Sequence, residues 1–137
     1  MKRAAGALYL VEDKQMPWYA AHIIVSTRPI KRDGGEISVY ENVILLSAKD
    51  DDEADVKAKR YGENSVVEDE TLRIDGEPAE ESFVGVRKII EIRGPIDSVG
   101  DEPVDGAEIT YSEMRVKDEE ALEKLAKGDE VSVEYLE

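Results

Sequence analysis

Apolar and polar positions alternate with a period of two through several segments of this chain, each bounded by residues that turn the backbone. The first, Trp18 to Thr27, predicts a strand, and Val39 to Ala48 predicts its antiparallel partner. Between them Lys31-Arg32-Asp33-Gly34-Gly35-Glu36 supplies a glycine-rich hairpin connection. Phe83 to Arg93 is the strongest strand pattern, and Gly94-Pro95 ends it because proline cannot continue a central ladder. A further strand is predicted over Ala107 to Val116, and an edge strand over Glu130 to Tyr135, where Val131, Val133 and Tyr135 alternate with acids and a serine.

Two stretches break this period. Asp50 opens a helix with Asp51, Asp52 and Glu53 in its first turn and Lys57, Lys59 and Arg60 in its last, matching the helix dipole at both ends. Asp50 and Glu53 have capping-box spacing, Ala54, Ala58 and Tyr61 share a face that would pack on the sheet, and Gly62 is placed to end the helix. Asp118 caps a second helix containing Ala121, Leu122, Leu125 and Ala126, with Gly128 as its stop. Residues 63–82 read as an acidic loop with a short strand at Thr71 to Ile74 and a turn at Asp75-Gly76. The elements add up to an α+β fold: a mostly antiparallel β-sheet with two helices packed on one face, forming a single domain over residues 1–137. Residues 1–16 are read as an N-terminal arm or strand, because the apolar run Ala4 to Val11 behind Met1-Lys2-Arg3 is short for a signal peptide.

Strand parity sorts the side chains onto two faces. Tyr19, Ala21, Ile23 and Val25, joined by Ile44, Leu46 and Ala48 and by Val84, Val86, Ile90 and Ile92, form the expected core side. The other side carries Trp18 and His22, Glu41, Arg87 and Glu91, with Tyr111, Glu113 and Arg115 from the later strand. His22, Glu41, Glu91 and Glu113 are the candidate acid-base residues, and Trp18, Arg87, Tyr111 and Arg115 the candidate binding residues. An ordinary solvated face with cross-strand ion pairs is the competing reading. His22 flanked by Ala21 and Ile23 also suits a structural role.

Composition changes this picture mainly through charge. The 137 residues include 33 acids, 18 bases, one histidine and no cysteine. Residues 1–49 carry five acids and seven bases (+2), residues 50–82 thirteen and four (−9), and residues 83–137 fifteen and seven (−8). The acid therefore begins abruptly at Asp50. Such a field repels phosphate and anionic lipid, which argues against a nucleic-acid or membrane partner and favours a basic protein. One Gln, two Asn and 37% charged residues equally suit a hot or saline habitat. Without cysteine there is no disulfide framework or thiolate nucleophile, and the cytosol is the default compartment. Asp50-Asp51-Asp52-Glu53 lacks the alternation and glycine of a calcium loop, so neither a metal nor any other cofactor is expected.

Four short motifs carry a resemblance: Trp18-Tyr19-Ala20, the acid-led helix from Asp50 to Ala58, Phe83-Val84-Gly85-Val86, and Asp105-Gly106-Ala107-Glu108 before a Tyr-Ser strand. Together they resemble a bacterial family known as domain of unknown function 4288, over roughly residues 17–116. The resemblance implies a small bacterial α+β domain and brings no catalytic residue with it. Three functions follow as expectations. The first is a non-enzymatic module whose acidic surface binds a basic protein, as an inhibitor or immunity-like factor would. The second is a small hydrolase or isomerase using His22 with a carboxylate on the polar face. The third is a structural homo-oligomer, such as a homodimer, pairing through Val131 to Tyr135.

Overall fold

The computed structural model describes residues 16–31, 34–66, 68–93 and 104–137. The N-terminal arm, the tip of the first hairpin and the Gly94-Pro95 stop lie outside them. Its main sheet has four antiparallel strands in the order β2-β1-β4-β3. The central strand β1, Trp18–Pro29, pairs on one side with β2, Ser38–Ser47, and on the other with β4, Glu77–Ile92. The helix α1, Asp51–Ser65, follows β2, and the short β3, Arg73–Ile74, folds back onto the start of β4. After residue 104 come β5, Met114–Arg115, the helix α2, Glu119–Lys127, and β6, Glu134–Tyr135, with β5 and β6 paired antiparallel.

β1 owes its central place to its composition. From Tyr19 to Ser26 only Ile24 escapes full burial, because the strand has neighbours on both edges and is covered on both faces. Tyr19, Ala21, Ile23 and Val25 form the core with Leu46, Ala48, Ala54 and Ala58, and Phe83, Val86 and Ile89 pack against them. The helix reaches the sheet through small residues spaced four apart, Ala54, Ala58 and Gly62. At Gly62 the approach is closest: a Cβ there would stand 2.4 Å from the Phe83 ring. Asp50 caps α1 by accepting from the Glu53 N–H at 2.9 Å, and the Glu53 carboxylate reaches back to the Lys49 N–H.

Several sequence expectations change in detail. Gly62 does not end α1. It is a buried position inside a helix that runs to Ser65 and leaves through extended backbone at Val66, so Lys57, Lys59 and Arg60 fall before the last turn, which holds no base. Tyr61, expected against the sheet, is 52% exposed, since the Phe83 ring fills the space beneath the last turns. β4 starts six residues before Phe83, because Asp75 and Gly76 both take positive φ and turn the chain directly from β3 into a longer strand. The strands expected over 107–116 and 130–135 contract to the two-residue β5 and β6. Glu108 makes only an isolated bridge to Arg93, and the rest of 107–113 runs as irregular chain over the second face of the sheet. α2 keeps its predicted ends: Asp118 accepts from the Ala121 N–H, and Gly128 closes the helix with φ 83°.

The largest correction concerns β4. Its pairing with β1 slips between His22 and Ile23 and again between Ile24 and Val25, so that Arg87 and Val84 are each an extra residue. Between the slips the alternation is inverted. Phe83, Val86 and Ile89 lie opposite Val25, Ile23 and Ala21 on the core side, whereas Ile90 and Ile92 lie opposite Ala20 and Trp18 on the second face. Val84, expected in the core, is 61% exposed.

Candidate functional site

The second face of the sheet holds a connected polar network. His22 sits at the middle of β1 and is only 3% exposed, walled by the cross-strand neighbours Val43 and Lys88. Its Nδ1 lies 2.7 Å from Oε2 of Glu41 on β2. A carboxylate can only accept, so Nδ1 carries the proton. On the other side of the ring, Nε2 is hydrogen-bonded to the Thr110 hydroxyl. With Nδ1–H donating, a neutral ring leaves Nε2 as an acceptor for that hydroxyl. The sequence hydroxyl, imidazole, carboxylate is thus complete across three segments of chain.

The first bulge of β4 supplies the next member. Arg87, released from the regular ladder, donates through Nε to the same Glu41 oxygen at 2.7 Å. Its guanidinium also donates through Nη1 to Oε1 of Glu137 at 3.0 Å and lies over the Tyr135 ring, 4.5 Å from the centroid. Lys88 donates to Glu137 at 2.7 Å and to the Tyr111 carbonyl, with its ammonium 5.2 Å from the Tyr111 ring centre. The second oxygen of Glu137 accepts from the Glu113 N–H at 3.0 Å. Two cations, one imidazole and two carboxylates are therefore joined into one network.

The charges respond to this arrangement. Burial pushes the Glu41 carboxyl up, but the hydrogen bonds from Arg87 and His22 outweigh it and hold Glu41 below its ordinary value. Glu137 is lowered to about 2, first by the Lys88 hydrogen bond and then by the Glu113 N–H. The Glu41 hydrogen bond raises Arg87 further. Both carboxylates are fixed as anions at neutral pH.

The candidate residues distribute unevenly. His22, Glu41 and Arg87 come together, and Tyr111 borders them through Lys88. Trp18 lies on the same face but four residues along β1, opposite Ile92. Glu113 contributes its backbone N–H to Glu137. Arg115 belongs to β5, pairs with Glu134 at 3.4 Å and borders a separate hollow of about 800 Å³ between β5, α2 and β6. Glu91 lies opposite Tyr19, on the helix side of the sheet, and pairs with Arg93 at 3.9 Å. Sequence reasoning missed Thr110, Lys88, Tyr135 and Glu137. Lys88 carries no readable signal, because regular alternation sets it with Val86 and Ile90 on the expected core side and only the bulge at Arg87 turns it toward His22. No group of three His, Asp or Glu side chains able to hold a metal occurs among the described residues. No helix there is long and apolar enough to cross a membrane.

Most of this face, from Trp18 at the start of β1 to Ser112 beside Lys88, lies in the span that matches a family model, Domain of unknown function (DUF4288), over residues 18–112. The chain belongs to this family. His22, Glu41, Arg87, Lys88 and Thr110 fall inside the DUF4288 segment, while Glu137, β5, α2 and β6 lie beyond it. No curated protein and no solved structure matches the chain.

Proposed function

We propose that this protein is an interaction module that binds a basic protein through the surface formed by α1 and the start of β4. The observation that carries the reading is the character of α1's exposed surface: Val56 stands about half exposed on the face turned from the sheet, amid Asp52, Glu63 and the i, i+4 pair Asp55–Lys59, and Tyr61, also about half exposed, stands at the helix's border with the sheet. Apolar and tyrosine anchors inside a charged rim are the usual anatomy of a protein-binding patch. The Gly62–Phe83 contact sets this helix beside the strand that bears Glu77, Glu80 and Glu81, which extends the acidic rim. On the second face, by contrast, His22, Arg87 and Lys88 are already matched by Glu41 and Glu137, so the outward field stays acidic. Acidic steering would make association with a basic partner fast and salt-sensitive.

The test is capture of basic proteins from lysate at low and high ionic strength, repeated with Tyr61→Ala. Retention of one basic protein that salt and Tyr61→Ala both weaken supports the reading; binding indifferent to both overturns it.

A second reading is favoured by one specific observation, the Thr110–His22–Glu41 chain of hydrogen bonds. In a hydrolase of the acyl-transfer class His22 would take the Thr110 proton while Glu41 fixed the imidazole. Covalent labelling by a fluorophosphonate that Thr110→Val abolishes would support it. No labelling of the native protein would dismiss it.

A further inference from the structure

β2 is an outer strand of the sheet, and among the described residues no strand pairs with its free side. A free edge presents unpaired backbone donors and acceptors, and natural sheets defend such edges with short length, proline or outward charges. β2 has none of these defences. It is ten residues long and its one ionised side chain, Glu41, is drawn onto the second face by His22 and Arg87. The apolar side chains are the open ones: Val39 is 57% exposed, Tyr40 59% and Leu45 53%.

We propose that β2 is a dimerisation strand whose occupant is a second copy of this chain, paired antiparallel about a two-fold axis at Asn42. Two arguments choose this occupant and register. The first is side-chain complementarity. An axis normal to the sheet keeps every side chain on its own face, so each residue opposes one of the same parity. With the axis at Asn42, Val39 meets Leu45 and Tyr40 meets Ile44, each pair formed twice, and Glu41 stands beside Val43 with its carboxylate held by His22 and Arg87. Moving the axis to Glu41 sets two Glu41 carboxylates against each other, and moving it to Val43 breaks the apolar pairs, setting Val39 against Ser47, Ile44 against Asn42 and Leu45 against Glu41.

The second argument is charge. Antiparallel pairing brings the end of β2 beside the hairpin, where exposed Arg28 and Lys31 outnumber Glu36, next to the other copy's opposite end, where Asp50, Asp51 and Asp52 outnumber Lys49. Parallel pairing would bring acid against acid. The edge also belongs to the first 49 residues, which carry +2, so it is the part of a −15 chain that a like-charged copy can approach. The pairing rests on the edge of β2, meets the acidic patch of α1 only at the helix's first turn, and stands without the proposed binding of a basic protein.

The absence of cysteine from the chain makes the test clean. Asn42→Cys is expected to oxidise to a covalent dimer, because the two residues face each other on the axis. In Tyr40→Cys the two copies lie four residue steps apart, about 14 Å, beyond the reach of about 7 Å between Cα atoms that a disulfide spans. That variant is expected to stay unlinked. By light scattering the native protein is expected at twice the 15.3 kDa chain mass, and Val39→Lys with Leu45→Lys at the single mass with its thermal transition retained. A native protein of single mass up to millimolar concentration overturns the proposal. So does a doubled mass that survives the two lysines, or equal linking at positions 40 and 42. Exchange protection of β2 amides in a monomer, as residues 1–15 of the same chain could produce, overturns it as well.

Discussion

Glu41 accepts from an imidazole and a guanidinium at one oxygen, and this explains why a half-exposed residue on an outer strand is so firmly placed. His22 and Glu41 could be brought together on paper, because both belong to regular strands whose parity the sequence displays. Thr110 and Glu137 could not, since they sit on irregular chain where no period tells which way a side chain points. A neighbour on the same face makes the contrast. Ser26 is 3% exposed, and among the described residues its hydroxyl has no hydrogen-bond partner. A buried hydroxyl without a partner gives up its hydration for nothing, so Ser26→Ala is expected to be neutral or to raise stability by about 1 kcal/mol. Urea denaturation of the two proteins measures this. A loss of stability would mean that the hydroxyl is bonded after all.

At the scale of elements, the helices were legible where a cap fixes an end and illegible where packing does. Asp118 and Gly128 bracket α2 as the sequence suggests, and Asp118→Ala should cost about 1 kcal/mol by orphaning the Ala121 N–H. Gly62 misleads because glycine usually marks a stop, whereas here it admits the Phe83 ring. Gly62→Ala would raise intrinsic helix propensity, yet it is expected to destabilise the protein by roughly 1–3 kcal/mol through overpacking. Thermal melting decides the sign, and the paired change Gly62→Ala with Phe83→Leu should recover part of the loss. The bulges of β4 were hidden for a related reason. Gly85, lying between Val84 and Arg87, is the one hint of them, since an isolated glycine in a strand often marks a bulge.

For the whole molecule, the charge network predicts how stability follows pH. Glu137 titrates at about 2 in the folded chain against an ordinary 4.5, and Glu41 is lowered as well. The unfolded chain therefore binds more protons across that interval. The stability these groups supply is complete above about 4.5 and is lost as pH falls toward 2. Glu137→Gln should flatten this acid limb in urea midpoints taken across the interval, while leaving alkaline behaviour unchanged. The alkaline limb belongs to Tyr19, which burial first and the Asp51 charge second push from 10.0 to about 12. Its contribution is full below 10 and lost as pH rises to about 12, and Tyr19→Phe should remove that dependence. The two bulges of β4 carry one more consequence, a rule of arithmetic for its length. Each extra residue inverts the strand and the second inverts it back, so Ser82 and Lys88 point the same way because there are two and not one. Losing one would turn half the strand inside out; losing both would leave its ends in phase. Changes of length in this strand should therefore come in twos.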